Sequence, residues 1–460
     1  MFILMIIAFI AGYAAIASEN NLKVNKAAVA LITGMTLWTL YVIGGVDILS
    51  SGASSSWNEY LAANPEKSSA SDMLHFITHI EILEHLMDIA SILFFLIGAM
   101  TIVEIIDRHQ GLKILTDKIT TRDKRKLLWI ICFLTFFLSA LLDNLTTTIV
   151  MIAVIRKLMS EKTNRWIFTS MVIISANAGG AWSPVGDVTT IMLWIGGQVT
   201  TMPLIKEVMI PSLVTMILPL IIMSRKLKKV SILRPYATEM EPMEFTYKER
   251  LIILIAGISC LVFVPIFKTF TNLPPYVGML LSLGVLWIIT DIVHKSKGNE
   301  VKKHYDAARI IRKIDTATIL YFLGILTAVS ALQSAGQLAL MSGFLDQHLG
   351  NVYFIDLAIG LLSSTIDNSA LVAGSIGMYP LESANATGYA ANFIQDGDFW
   401  SFLAYCAGTG GNILIIGSAA GVAAMGLEKI NFIWYMKNFS RMALTGYFGG
   451  AIVYYLITLI

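Results

Sequence analysis

The sequence predicts an all-α polytopic membrane protein made of two inverted-topology repeats, each with a re-entrant hairpin and an interrupted helix. Three observations lead there: an apolar excess, basic residues confined to a few loops, and short motifs that recur in the same order in both halves. Of 460 residues, 56% are hydrophobic and 14% charged, whereas an ordinary soluble domain is about a quarter charged. Mean hydropathy is +0.71. A helical crossing takes about 20 apolar residues, so the length accommodates roughly ten to thirteen crossings or part-crossings and no sizeable soluble domain. With 33 Lys+Arg against 31 Asp+Glu the chain is nearly neutral, which argues against a nucleic-acid partner. Cys132, Cys260 and Cys406 lie in separate apolar runs, so neither a disulfide framework nor a zinc site is expected.

Residues 1–17 resemble a signal peptide in length, but they lack a basic start and another apolar run follows at once. They are expected to form the first helix. Further apolar runs lie at 27–46, 88–106, 127–142, 145–159, 166–197, 207–224, 251–267, 276–293, 315–333, 351–366, 369–379, 399–427 and 441–460. Several are too short to span. The stretches 107–126, 225–250 and 294–313 each hold seven Lys or Arg, which makes them cytoplasmic, because basic loops stay on that side. Residues 47–87 carry six carboxylates and only Lys67, and no Lys or Arg occurs from 314 to 428. Those regions face outward or lie in the membrane.

The runs 127–142 and 145–159 sit between basic segments, so the pair must enter and leave on the cytoplasmic face as an inner hairpin over 127–159. The runs 351–366 and 369–379 lie between stretches devoid of positive charge and form an outer hairpin over 351–379. A repeat joins them. Asp88–Leu96 matches Asp315–Leu323 at six of nine positions with an offset of 227. Ser139, Asp143 and Asn144 recur as Ser363, Asp367 and Asn368 at offset 224, and Gly179, Gly180 and Gly186 recur as Gly410, Gly411 and Gly417 at offset 231. Loop charge makes Asp88 begin an inward-going helix and Asp315 an outward-going one. The halves are therefore inverted, as in many secondary transporters. Residues 1–224 form the first repeat, with its interrupted helix at 166–197. Residues 225–250 are a cytoplasmic linker, and 251–460 form the second repeat, with its interrupted helix at 399–427.

A charged Asp at the bilayer centre costs roughly 2.5–3.5 kcal/mol on insertion scales. Asp143 and Asp367, one at the break of each hairpin, therefore need a reason. Capping the second arm is one reason, but Ser or Asn would cap without a charge. Asn144, Thr146, Asn368 and Ser369 put neutral oxygens beside the two acids. In the interrupted helices, glycines and Pro184 free backbone carbonyls among Asn177, Ser183, Thr189, Thr409, Asn412 and Ser418, an environment suited to a small cation. The glycines could also serve only close helix packing. Asp187, whose repeat partner is Ser418, either adds a ligand or caps the half-helix that follows it. Asp356 has Cys132 at the equivalent inner position, and a proton relay is one reading of it. Glu104 and Asp107 are expected to pair with Arg108 or Lys113. His75, His79, Glu81, Glu84 and His85 read as a wetted amphipathic segment, because no His-Glu-x-x-His metal motif is present.

The segment from Phe94 to Asp107, the run from Leu142 to Thr148 around Asp143, and the run from Gly179 to Thr190 resemble NhaD-type Na+/H+ antiporters of the ion transporter superfamily over nearly the whole chain. The resemblance implies that superfamily's fold, a homodimer, elevator-like movement of a transport domain and a bacterial inner membrane. Dicarboxylate-transporting relatives carry Ser-Asn-Thr at the hairpin tips, where this chain has Asp143-Asn144-Leu145-Thr146 and Asp367-Asn368-Ser369. Two anionic side chains would repel a dianion. Gly410, Gly411, Asn412 and Gly417 keep the relatives' pattern, which suggests a retained cation site.

The expected function is secondary exchange of Na+ or Li+ for H+, with metal ion and proton competing for Asp143 and Asp367. No enzyme activity and no cofactor are expected; the partners are membrane lipid, the transported ions and a second copy of the chain. Both termini are expected on the periplasmic side. A Na+-coupled symporter of a carboxylate or oxyanion is the alternative. An intramembrane aspartyl protease would also use two membrane carboxylates, but its sequence contexts are absent.

Overall fold

A computed structural model describes residues 1–17, 23–114, 119, 121, 123–227, 244–295, 297, 298 and 305–459. Most of the expected linker 225–250, and parts of the basic stretches 107–126 and 294–313, lie outside the described residues. The chain is an all-α polytopic membrane protein. Among the described residues there is no β-strand, and seven helices are long and apolar enough to cross a membrane: Lys26–Ile43, Ala70–Arg108, Lys124–Leu142, Thr201–Lys226, Tyr247–Thr271, Pro275–His294 and Thr316–Ser334. The first expected helix is present as Phe2–Ala17. Large apolar side chains such as Ile32 and Ile288 remain more than 60% exposed, as helices facing lipid require.

Helix starts follow caps rather than the edges of apolar runs. Asp123 accepts from the backbone N–H groups of Arg125 (2.8 Å) and Lys126 (3.0 Å), so the helix expected from 127 begins at Lys124. Asp315 accepts from Thr318 N (3.1 Å) and Thr318 Oγ1 (2.6 Å) and opens Thr316–Ser334 as expected. Asp88 does not begin a helix: it lies exposed inside Ile82–Arg108. The cap is upstream, where Ser69 and Asp72 form a capping box, and a π-turn at Ile77–Glu81 carries the helical path into Ile82.

By backbone packing the chain divides into two compact units. The first comprises Met1–Leu96, Asp315–Ile355 and Ala370–Leu381. Its centre is the crossing of Lys26–Ile43 with Thr316–Ser334, where Gly34 and Gly324 bring the two backbones together. A Cβ on Gly34 would lie 2.5 Å from the Gly324 carbonyl oxygen, and one on Gly324 would overlap the backbone of Ala30 and Leu31. Small residues at such crossings are the usual means of helix association in lipid. Trp38 Nε1 donates to the Thr327 carbonyl (3.0 Å). Glu81 is not wetted as expected. It is buried, because Tyr41 Oη (2.9 Å) and Ser56 Oγ (2.5 Å) donate to its carboxylate and replace the water it would otherwise need. His75, His79 and Glu84 are exposed, while His85 Nε2 lies 2.9 Å from Ser334 Oγ.

The second unit comprises Ile97–Ile314, Asp356–Ser369 and Glu382–Ile460. It holds the first hairpin (Lys124–Leu142 and Asn144–Leu158), the first broken helix (Lys162–Gly180 and Val188–Ile195) and the second broken helix (Asp398–Gly410 and Ala419–Glu428). The second hairpin is formed by Val352–Leu362 and Asn368–Met378, and this unit contains its break. Glu428, buried at the end of the second broken helix, accepts from Arg156 Nε (2.5 Å) and Arg165 Nε (3.0 Å), so its charge is balanced by two guanidinium groups. Arg108 Nε pairs with Glu104 at 2.7 Å, as expected. All three cysteines are free and buried.

The glycine crossing is testable by thermal unfolding in detergent. Gly324→Ala should destabilise the protein by about 1–3 kcal/mol through overpacking. Gly343→Ala, in a helix of the same unit with nothing within 4 Å of the added methyl, should be neutral or stabilise by up to about 1 kcal/mol.

Candidate cation site

The breaks expected at Asp143 and Asp367 are present. Asp143 closes one helix and opens the next, with φ +69° and ψ 161°. That region is almost reserved for glycine and costs a non-glycine residue about 1–3 kcal/mol. Its carboxylate accepts from Thr146 N and Thr146 Oγ1, both at 2.8 Å. Asp367 Oδ1 accepts from Ser369 N at 3.1 Å, on a backbone without positive φ. Both acids are half-buried.

Each hairpin break is locked to a broken helix by direct backbone approach. Ser139 Oγ donates to the Ala176 carbonyl (2.6 Å), and Ser363 Oγ donates to the Ala407 carbonyl (2.9 Å). A Cβ on Gly179 would overlap the Phe136 carbonyl, and one on Gly410 would overlap the Gly360 carbonyl. Phe136 and Gly360 stand 224 residues apart, like the two serines, and Gly179 and Gly410 stand 231 apart, as do Ala176 and Ala407. The offsets found between the sequence motifs thus reappear in the contacts between the elements that carry them.

Asn177 is the hub. Asn144 Nδ2 donates to Asn177 Oδ1 (3.1 Å), and Asn177 Nδ2 donates to Asn412 Oδ1 and Ser418 Oγ, both at 2.9 Å. One side chain therefore joins the first hairpin to both broken helices. Ser418 Oγ also accepts from Gly421 N (3.2 Å), which starts Ala419–Glu428. From the second hairpin, Asn368 Nδ2 donates to Asp187 Oδ2 (3.1 Å), and Ser369 Oγ donates to Asn368 Oδ1 (3.3 Å). Asp187 is buried at the start of Val188–Ile195, and the carboxylates of Asp367 and Asp143 both act on it electrostatically. Among the described residues neither Asp143 nor Asp187 forms an ion pair.

Not every expected residue turns toward this neighbourhood. Thr409 Oγ1 donates to the Tyr405 carbonyl of its own helix (2.7 Å), and Ser183 Oγ donates to the Ala140 carbonyl (2.6 Å). Both are committed to backbone. Thr189 Oγ1 and Asn412 Nδ2 are buried without a partner among the described residues, as are the hydroxyls of Thr147 and Thr148. Tyr435, whose hydroxyl donates to the Asn412 carbonyl (2.8 Å), was not foreseen; nothing in its sequence context marks it. Among the described residues no group of three or more His, Cys, Asp or Glu could hold a metal ion. A cation here would rest on amide, hydroxyl and backbone oxygens around individual carboxylates, as an alkali ion accepts.

A family model described as citrate transporter matches residues 4–394. The chain belongs to that family. Among its relatives, sodium/proton antiporter 1 of Arabidopsis thaliana is 43% identical over 98% of this chain and 71% of its own length. Sodium/proton antiporter 2 of the same plant is 39% identical over 98% of both. The Na+/H+ antiporter NhaD of Vibrio cholerae is 29% identical over 82% of this chain and 80% of its own. The expected resemblance to NhaD-type antiporters is borne out.

The strain at Asp143 predicts a trade of stability against function. Asp143→Gly should unfold at a higher temperature than the unsubstituted protein, by the equivalent of about 1–2 kcal/mol, since glycine adopts this conformation freely and forfeits only a few tenths as a cap. Thermal unfolding in detergent checks this; Asp143→Ala, which keeps the strain and loses the cap, should be less stable than either.

Proposed function

We propose that the chain is a secondary transporter that exchanges Na+ or Li+ for H+, with cation and proton competing for buried carboxylates. The observation that carries this reading is the amide network at the helix breaks, in which Asn144, beside Asp143, reaches Asn177 and through it Asn412, while Asn368, beside Asp367, holds Asp187. An ionised carboxylate with amide, hydroxyl and free carbonyl oxygens around it binds a small hard cation, and protonation removes the charge that holds the cation. The relatives named as sodium/proton antiporters support the same exchange. In this reading Asp143 and Asp367 bind Na+ or Li+ directly. Asn144, Thr146, Asn177, Asp187, Thr189, Asn368, Ser369, Asn412 and Ser418 supply or position further oxygens; Ser183 and Thr409 contribute through the backbone carbonyls they hold.

The duplicated serine and glycine contacts support two inverted repeats over 1–224 and 251–460. Hairpins entered from opposite faces, elevator-like movement and a homodimer belong to the same proposal, by resemblance. Loop charge supports cytoplasmic basic loops with both termini on the opposite, periplasmic side; a bacterial inner membrane belongs to the proposal by resemblance alone. The citrate description of the family model favours a second reading, a Na+-coupled carboxylate symporter. The second hairpin and broken helix have no Lys or Arg of their own between 314 and 428, and Arg156 and Arg165, which reach the end of that broken helix, are both bound to Glu428 rather than offered to an organic anion.

Purified protein in liposomes should dissipate a pH gradient on addition of Na+ or Li+, without need of an organic acid. Asp143→Asn and Asp367→Asn should each weaken this by at least about tenfold, equivalent to about 1.4 kcal/mol; normal activity in both would remove the competition model. In the same assay the apparent affinity for Na+ should rise with pH, because each proton displaced from a shared carboxylate makes binding about tenfold tighter per pH unit until the group is fully ionised. A flat dependence would contradict competition.

A further inference from the structure

Val352–Leu362, the first arm of the second hairpin, carries a carboxylate that the exchange reading does not use. Asp356 is 0% exposed, and neither of its carboxylate oxygens has a hydrogen-bond partner. Its charge would be felt by the thiol of Cys406, from Asp398–Gly410, and the hydroxyl of Tyr447, from Ser440–Thr458. Tyr447 donates its own proton to the Leu357 carbonyl at 3.0 Å. Among the described residues Asp356 has neither a basic partner nor a hydrogen-bond donor.

The other buried carboxylates of this unit are treated differently. Glu428 meets two guanidinium groups, and Asp187 accepts from Asn368. An isolated buried carboxylate is tolerated only as the neutral acid, because its charged form loses its hydration and gains nothing in return. Packing does not require it. At the equivalent place in the first hairpin, 224 residues earlier, stands Cys132, small, neutral and also fully buried. The second hairpin therefore holds an acid where its counterpart manages with a thiol. Just past the end of Val352–Leu362 stands Ser363, which ties the hairpin to the second broken helix, and Asp356 lies about 9 Å of helix short of that end. It is too far along the arm to share an ion at the break with Asp367.

We propose that Asp356 is a proton-binding site separate from the carboxylates at the helix breaks, so that each transport cycle carries a proton in addition to those displaced by Na+. The buried conformation is the proton-loaded one: Asp356 crosses neutral in it and gives its proton to water when the arm is hydrated on the far side. It returns ionised in an arm that stays hydrated during the Na+-loaded transit, and regains a proton from water on the first side. The inference rests on the exchange reading and adds a second kind of proton to it.

The test is the H+/Na+ coupling ratio of the full chain in liposomes, read from the Na+ gradient that just balances an imposed pH gradient and voltage. Asp356→Asn and Asp356→Cys, the latter copying the first hairpin, should lower the ratio by one proton per cycle while Na+ binding in detergent stays within twofold. Asp356→Glu should keep the ratio. A ratio unchanged in folded Asp356→Asn and Asp356→Cys would overturn the proposal. Failure of the unsubstituted protein to move protons with Na+ would instead overturn the exchange reading, so the two failures are distinct.

Discussion

A chain that breaks its helices inside hydrocarbon must find an internal partner for every backbone group it frees. Here the requirement is met by bringing backbones into contact. Ser139, Ser183 and Ser363 each give a hydroxyl proton to an alanine carbonyl on a facing segment. Gly179 and Gly410 allow that approach because any side chain would collide with the opposite carbonyl. The breaks are therefore held, and the polar side chains at them can be aimed inward rather than spent on rescuing loose backbone.

That economy shapes the centre of the second unit. Asn177 spans three elements with two donors and one acceptor, and Asn368 holds Asp187. Amides suit this work because they cross-link without adding charge, so the charge that remains belongs to the carboxylates. Asp143 is held in a conformation that disfavours it, and its two oxygens turn back to a single neighbour, Thr146. A side chain so loosely satisfied can exchange its hydrogen bonds for an ion. Glu428, gripped by two arginines, cannot.

Much of this was legible in the sequence. The hairpin breaks, the paired Asp-Asn motifs and the glycine runs lie where the motifs put them, because helix interruption leaves a local signature in Gly, Pro, Asp and Asn. What stayed hidden depends on contacts between distant segments. Whether Asp187 merely caps its helix could not be read without Asn368, 181 residues away. Thr409 and Ser183 look like ligands in sequence, yet both are committed to backbone carbonyls, and the choice between those fates is set by neighbouring segments. Asp88 looks like a helix start because it matches Asp315, but a capping box upstream moves the start. Glu81 looks exposed by composition, yet it is buried against Tyr41 and Ser56, 40 and 25 residues away.

The central claim is that metal ion and proton exclude one another at the carboxylates of the helix breaks. The most direct measurement is proton release from the purified protein in weakly buffered detergent solution as Na+ is added at constant ionic strength. The account predicts saturable release that tracks Na+ occupancy and fades once the solution is alkaline enough to have emptied the sites of protons. Saturable Na+ binding with no proton released at any pH would contradict it.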